Sequence, residues 1–326
     1  MSRKKIFFTS NLVINVREYL EDFDVEVYDG VPPIPKEVLK EKVKDVDGLV
    51  VLLTDKIDSE ILDNAPKLKI VANYAVGYDN IDVTECTRRG IVVTNTPDVL
   101  TDATAELAWA LVFAVARRVV EAHKFVERRL WKGWSPTLFL GLELKGKTLG
   151  VVGAGRIGQA FALKSLGFGM KVVYYSRRQN EVLEKEVSAK RVELDELLKV
   201  SDIISLHLPL TPETYHLIGE REFNMMKPNA IFINTARGKI VDEKALIKAL
   251  KEKRIYGAGL DVFEFEPQVS EELFELDNVV MLPHIGSATV EARTRMAELV
   301  IENLKAFFSG RVPPAVVNKE VYGEQG

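Results

Sequence analysis

Residues 5–8, 25–28, 48–53, 68–72 and 91–94 are short apolar runs, and the stretches between them, 36–43 and 59–64 among them, are amphipathic. The alternation predicts a parallel sheet with helices on its faces, since strands buried on both sides need apolar runs and their crossovers need helices. Pro32, Pro33 and Pro35 interrupt the chain ahead of the 36–43 segment, because proline fixes φ and lacks an N–H. From Asp98 the pattern turns helical over 101–131, with Asp102 and Glu106 near the start and Arg117 and Arg118 further along, as the helix dipole favours. Residues 107–116 are apolar on every side, so this helix is expected to be buried.

The stretch from Thr148 to Arg178 follows: an apolar run at 149–152, then Gly153, Gly155 and Gly158 at G-x-G-x-x-G spacing, a helical segment, and a second apolar run at 172–175. The alternation resumes with helices at 194–199, 220–226 and 242–251 and strands at 202–206, 230–234, 256–260 and 279–282. A long helix is expected over 287–308, capped by Ser287 or Thr289, with Glu291 in its first turn and Gly310 past its end. The tail from 312 is expected to be extended. The fold class is therefore α/β, with two Rossmann-like domains. A doubly wound parallel-sheet dinucleotide-binding domain, 98–287, is inserted into a smaller flavodoxin-like substrate domain made of 1–97 and 288–326.

In that setting the glycines have distinct jobs. The first permits a tight turn, the second lets backbone approach a pyrophosphate, and the third lets helix pack on strand, while the helix start offers N–H groups to the phosphates. Ala154, Gly155, Arg156 and Ile157 are the expected cofactor-facing residues. At the end of the second strand, where an acid would bind the ribose of NAD, stand Ser176, Arg177 and Arg178. A hydroxyl and two guanidinium forks suit a 2′-phosphate, so NADP(H) is the preferred cofactor, with NAD(H) possible. Gly141, Gly146, Lys147 and Thr148 also match the phosphate loop of nucleotide hydrolases, but that loop must open a helix and this one runs into a strand.

Composition narrows the class. A chain of 326 residues with 47% hydrophobic and 28% charged residues is that of a globular protein, and a net charge of −4 gives no reason to expect nucleic acid. The one cysteine, Cys86, precludes an internal disulfide and fits a cytoplasmic setting. The apolar run at the N-terminus is too short for a signal-peptide core, and the longest, 107–116, is too short to cross a bilayer, which takes roughly 20 residues. No membrane span is expected. Neither H-E-x-x-H nor a paired Cys-x-x-Cys occurs, so no metal is expected.

Three segments of the second half carry titratable residues at strand ends: INTARG at 233–238, LDVFEFEP at 260–267 and LPHIG at 282–286. With NYAVGYDNID at 73–82, these motifs resemble those of the D-isomer-specific 2-hydroxyacid dehydrogenases, most closely the glyoxylate and hydroxypyruvate reductases, over essentially the whole chain. The resemblance implies that Arg237 is the cation that holds a 2-keto acid, His284 the acid, and Glu266 the carboxylate paired with it, with Glu264 a competitor for that place. A carboxylate beside the imidazole favours its protonated form and keeps a proton available. By the same resemblance the Val76 and Gly77 N–H groups hold the substrate carboxylate, while Thr235, Ala236, Asp261, Ile285 and Gly286 lie along the cofactor.

His123, His207 and His216 find no partner in these motifs and are assigned structural roles. A homodimer built on the 101–131 helix is expected. Another D-2-hydroxyacid dehydrogenase, of phosphoglycerate or D-lactate type, and a nucleotide-sensing corepressor-like module are the alternatives.

Overall fold

The computed structural model describes residues 3–323, which fall into two units: one runs to Leu100 and resumes at Ala288, the other is Thr101–Ser287. In chain order the first unit holds β1 (Lys5–Phe8), α1 (Val16–Tyr19), β2 (Asp24–Val27), α2 (Lys36–Lys42), β3 (Gly48–Val51), α3 (Ser59–Asp63), β4 (Ile70–Asn73), α4 (Val83–Arg88) and β5 (Val92–Thr94). Its five strands are parallel in the order β2-β1-β3-β4-β5, the flavodoxin-like order. Every residue of β3 and β4 is buried, which explains why both read as unbroken apolar runs rather than alternating ones.

The second unit begins with α5 (Thr101–Ala116) and α6 (Val119–Glu127), followed by β6 (Thr148–Val152), α7 (Arg156–Lys164), β7 (Lys171–Tyr175), α8 (Glu181–Glu186) and β8 (Lys190–Arg191). It continues through α9 (Leu194–Val200), β9 (Ile203–Leu206), α10 (Glu220–Met225), β10 (Ile231–Asn234), α11 (Glu243–Lys251), β11 (Gly257–Leu260), α12 (Glu271–Phe274) and β12 (Val279–Met281). The seven parallel strands are ordered β12-β11-β10-β9-β6-β7-β8. The order reverses between β6 and β9, so the glycine-rich turn that follows β6 lies at the switch point, where ligands of such sheets bind.

Each face of this sheet has its own core. On one face α5 and α7 pack Trp109, Leu111, Val112 and Phe161 against Leu149, Val151, Ile231 and Ile233. On the other, α9, α10 and α11 pack Leu197, Phe223 and Leu246 against Ile204 and Phe232. Trp109 stacks on Phe161, 4.7 Å between centroids, and its indole N–H donates to the Phe161 carbonyl, so a large ring is buried with its polar atom satisfied.

The helix expected over 101–131 is two helices. Arg118 takes a left-handed φ of +53°, its guanidinium forks onto Glu121, and the Ala116 carbonyl is taken by the Leu142 N–H instead of a further helical turn. Apolar periodicity continued through the break, but the adjacent arginines mark the place where it bends. Beyond Glu127 no helix or strand forms until Thr148.

The chain re-enters the first unit as α13 (Val290–Phe308), capped by the Thr289 hydroxyl at the Ala292 N–H, 3.0 Å. Val300, Ile301 and Leu304 cover the sheet face formed by Ile6, Phe8, Val50, Ile70 and Val92. The tail is not simply extended: Val316 bridges antiparallel to Thr94, Asn318 holds the Val93 N–H and the Ile91 carbonyl, and residues Lys319–Tyr322 form a 3-10 turn.

Candidate active site

The glycine-rich turn shows why each glycine is needed. At Gly153, φ +100°, an added Cβ would lie 2.7 Å from the His207 carbonyl oxygen, and at Gly158 one would lie 2.0 Å from the Gly153 carbonyl oxygen. At Gly155 it would meet nothing within 4 Å. The first and third glycines therefore permit close packing, while the second faces open space that a phosphate can enter. Gln159 makes the first helical hydrogen bond, back to Gly155 at 2.7 Å, and the amides preceding it are those an anion would engage.

Beyond β7, Ser176 is half-buried and Arg177 and Arg178 are exposed, and neither arginine forms an ion pair among the described residues. Two neighbours fix the backbone they stand on. Arg191 donates to the Ser176 and Arg177 carbonyls at 3.0 and 3.1 Å, and the Asn180 amide bridges the Ala154 carbonyl and Gln159. Asn180, which also caps α8, carries no motif signal in the sequence.

The loop after β10 is organised by Asn234. Its buried side chain accepts from the Ala236 N–H at 3.0 Å and donates to the Arg237 carbonyl at 2.9 Å, which sets the turn that presents Arg237. Thr235 Oγ1 is buried without a hydrogen-bond partner among the described residues. Gly238 lies so close to the strand-end segment 261–266 that a Cβ would sit 1.9 Å from the Phe263 carbonyl. Only glycine lets these two loops touch.

Three carboxylates in that segment grip three different places. Asp261, fully buried, accepts the Ile285 N–H at 2.7 Å and the Gly286 N–H at 2.8 Å, and its carbonyl accepts the His284 N–H at 2.9 Å. Those three bonds hold His284 at a left-handed φ of +54°, a conformation that persists in a non-glycine residue only when its surroundings over-determine it. Burial pushes the Asp261 carboxyl above the usual carboxylate range, against the pull of the two N–H groups and the nearby imidazole.

Glu266 accepts the Phe263 N–H with one oxygen, 2.9 Å, and meets His284 Nδ1 with the other, 2.8 Å. Glu264 instead pairs with His216 Nε2 at 2.8 Å and is buried. The geometry separates the two glutamates, and it corrects the expectation that His216 has no partner in these motifs. With Nδ1 engaged, Nε2 is the nitrogen of His284 left to exchange a proton.

Val76 and Gly77 belong to the other unit, in the loop after β4. Asn95 and Asn73 hold their carbonyls at 2.8 and 2.7 Å, while neither N–H has an acceptor among the described residues. A pair of pinned peptide units with unpaired N–H groups suits an anion. Asn73 lies inside the quoted motif, but its role shows only once the loop is closed.

A profile of the D-isomer specific 2-hydroxyacid dehydrogenase NAD binding domain matches residues 109–286. The chain is also 60% identical to the glyoxylate reductase of Thermococcus litoralis over 98% of both chains. The chain belongs to the D-isomer specific 2-hydroxyacid dehydrogenase family. Among solved structures it resembles the NADPH-dependent glyoxylate/hydroxypyruvate reductase of Sinorhizobium meliloti, in complex with NADP and malonate, with TM-score 0.84, 35% identity and 97% of each chain covered. It also resembles the D-lactate dehydrogenase of Aquifex aeolicus, complexed with NAD and lactic acid, with TM-score 0.87, 34% identity, and 96% and 99% covered.

As a member of this dehydrogenase family the chain takes a nicotinamide dinucleotide and a small acid substrate. The residues present fit that cofactor: open space at Gly155, an orphaned buried hydroxyl at Thr235, and a parallel sheet whose order reverses beside them. Among the described residues no helix is long and apolar enough to cross a membrane.

Proposed function

We propose that the protein is a glyoxylate reductase, converting glyoxylate to glycolate and hydroxypyruvate to D-glycerate. One observation carries the mechanism: His284 is paired through Nδ1 with Glu266, leaving Nε2 as its proton-exchanging atom. The substrate follows from the glyoxylate reductase named above, alike over nearly the full length. The nicotinamide dinucleotide, when bound, supplies a hydride to the keto carbon. His284 Nε2 delivers the proton to the keto oxygen as charge builds there, and Glu266 stabilises the imidazolium before transfer. Arg237 binds the substrate carboxylate and polarises the carbonyl. In the other unit, the Val76 and Gly77 N–H groups are the proposed donors to an anion. In the reverse direction His284 accepts the proton.

The reading includes a preference for NADPH. Its support is the exposed Arg177 and Arg178 beside Ser176, with no acid at the end of β7. Steady-state rates with glyoxylate, hydroxypyruvate, pyruvate and phosphohydroxypyruvate, each with NADPH and NADH, test both parts. The expected result is the highest kcat/KM for glyoxylate with NADPH, and a loss of kcat of roughly a hundredfold or more in His284→Ala. Faster turnover of another acid would replace the substrate, a higher kcat/KM with NADH would remove the cofactor preference, and nucleotide binding without turnover would favour a sensing module.

The reading also takes the protein to be a cytoplasmic homodimer. α5 is spent inside its own unit, where eight of its residues are buried, so the surface offered to a second copy lies further on. Trp131, Trp134 and Leu140 stand 58%, 84% and 64% exposed in the segment after α6, with Val119 and Val126 exposed on α6 itself. A second copy covering these side chains would remove large apolar groups from water. Sedimentation at twice 36.6 kDa is expected, and a monomer at micromolar concentration would reject the assignment.

A further inference from the structure

Outside the residues given roles above, one buried ionic cluster stands next to them. Glu243, at the start of α11, and Glu264 are 4% and 8% exposed, and they hold each other by reciprocal bonds. The Glu243 N–H donates to Glu264 Oε2 at 3.1 Å, and the Glu264 N–H donates to Glu243 Oε2 at 3.0 Å. Glu243 Oε1 takes the Ser270 hydroxyl. Two buried carboxylates this close need a compensating donor or charge, since an uncompensated buried charge is strongly unfavourable. Among the described residues the only basic side chain paired with either is His216, through Nε2 to Glu264 Oε1.

His216 is itself held in an unusual way. Its φ is +49°, and its backbone N–H donates to the Lys239 carbonyl at 2.9 Å, two residues past Arg237. Ile218 continues the pairing: its N–H donates to the Ile240 carbonyl, and its carbonyl accepts the Asp242 N–H. Tyr215 stacks over the imidazole, 4.1 Å between centroids and 14° between planes. The backbone of His216 is thus fastened to the loop that presents Arg237, and its side chain to the segment that presents Glu266. Glu264 and Glu266 are two residues apart on one segment, and Glu266 also curls back onto the Phe263 N–H. Glu264, held by His216, and Glu266, whose other oxygen meets His284, thus stand on one short stretch of chain.

We infer that His216 is a positioning residue for the reaction, tying the Arg237 loop to the Glu266 segment through Glu264. The inference rests on the reading of Glu266 and His284 given under the proposed function. It assigns work to a histidine that touches none of the reacting groups, and it explains why two acidic residues are kept buried beside a third that pairs with His284. Loss of the tether leaves the cofactor turn after β6 untouched, so the fault should appear in turnover and not in nucleotide binding.

The test uses the full-length protein, NADPH and glyoxylate. His216→Leu is expected to lower kcat by about ten- to a hundredfold, in the range that misplacement of a reacting group produces, with the KM for NADPH unchanged. His216→Gln, which keeps an N–H for Glu264, should restore most of the rate. Combined with Glu266→Gln, His216→Leu should cost less than the product of the two single losses, because part of its effect runs through the Glu266–His284 pair. His216→Asn, polar but too short to reach Glu264, stands in for His216→Leu should the latter fail to fold.

Wild-type kcat in His216→Leu or His216→Asn would overturn the inference, as would a His216→Gln variant as slow as these, or effects that multiply in the double variant. A wild-type kcat in Glu266→Gln alone would instead overturn the reading of Glu266, and the inference with it. The two failures are read from different single variants.

Discussion

His207 closes β9 and shows how one residue can fix a pH limit. Its ring packs on Phe161, 4.9 Å between centroids, and its Nε2 meets Ser205 Oγ at 2.9 Å. Its carbonyl is the atom on which Gly153 rests. Burial drives the imidazole down from an ordinary 6.5 to about 3, so it stays neutral when folded. Below 6.5 the unfolded chain binds a proton that the folded chain refuses, until about pH 3. Stability therefore falls as pH is lowered through that window, by up to ~1.4 kcal/mol per pH unit from this group, and above the window the group contributes no slope. His207→Gln, which keeps a hydrogen-bonding partner for Ser205 and cannot titrate, should flatten the fall. Denaturant midpoints at pH 7, 6, 5 and 4 measure it, and parallel curves for the two proteins would show that His207 is not what loses stability in acid.

At the level of elements, most of the second unit is legible because its central strands are buried on both faces and its helices on one, so composition and period report them directly. β9, β10 and β11 are buried at every position and were legible to within a residue or so. Short elements escaped. α1, α8 and β8, of four, six and two residues, are too brief for a period to show, and the capping of α8 by Asn180 depends on the β7 strand end being tied to the glycine turn. The break at Arg118 is hidden because apolar spacing runs across it while the backbone leaves the helix through a left-handed residue. The roles of Glu264 and Glu266 could not be separated by position, since residues two apart on an irregular segment have no fixed facing. The family resemblance favours Glu266 as the partner of His284, and the fold places it there, with Glu264 turned to His216. Asn95 and Asn180 are illegible for a related reason, since each grips the backbone of a loop distant in sequence, whereas Asn73 and Asn234 brace their own loops, holding carbonyls four and three residues on.

The whole molecule is arranged by insertion, and that arrangement has a consequence for folding. The Thr101–Ser287 unit is one continuous piece of chain with cores on both faces of its sheet. The first unit is not continuous: its sheet is complete by Thr94, but the face carrying Ile6, Phe8, Val50, Ile70 and Val92 is covered by Val300, Ile301 and Leu304 of α13. Asn303 adds polar ties to the Asn95 carbonyl and the Ala315 N–H, and Asn318 ties the tail to β5. Each buried aliphatic side chain contributes ~1.5–3 kcal/mol, so removing three of them withdraws an amount comparable to the whole stability of a small domain, about 5–15 kcal/mol. A fragment of residues 101–287 should then fold cooperatively alone and still bind NADPH, seen as a nucleotide-dependent rise in its melting temperature. A chain ended at Ser287 should keep that transition while amides of β1, β3, β4 and β5 lose their protection from hydrogen exchange. If those strands stay protected without α13, the C-terminal helix is only a cover on a sheet already stable by itself.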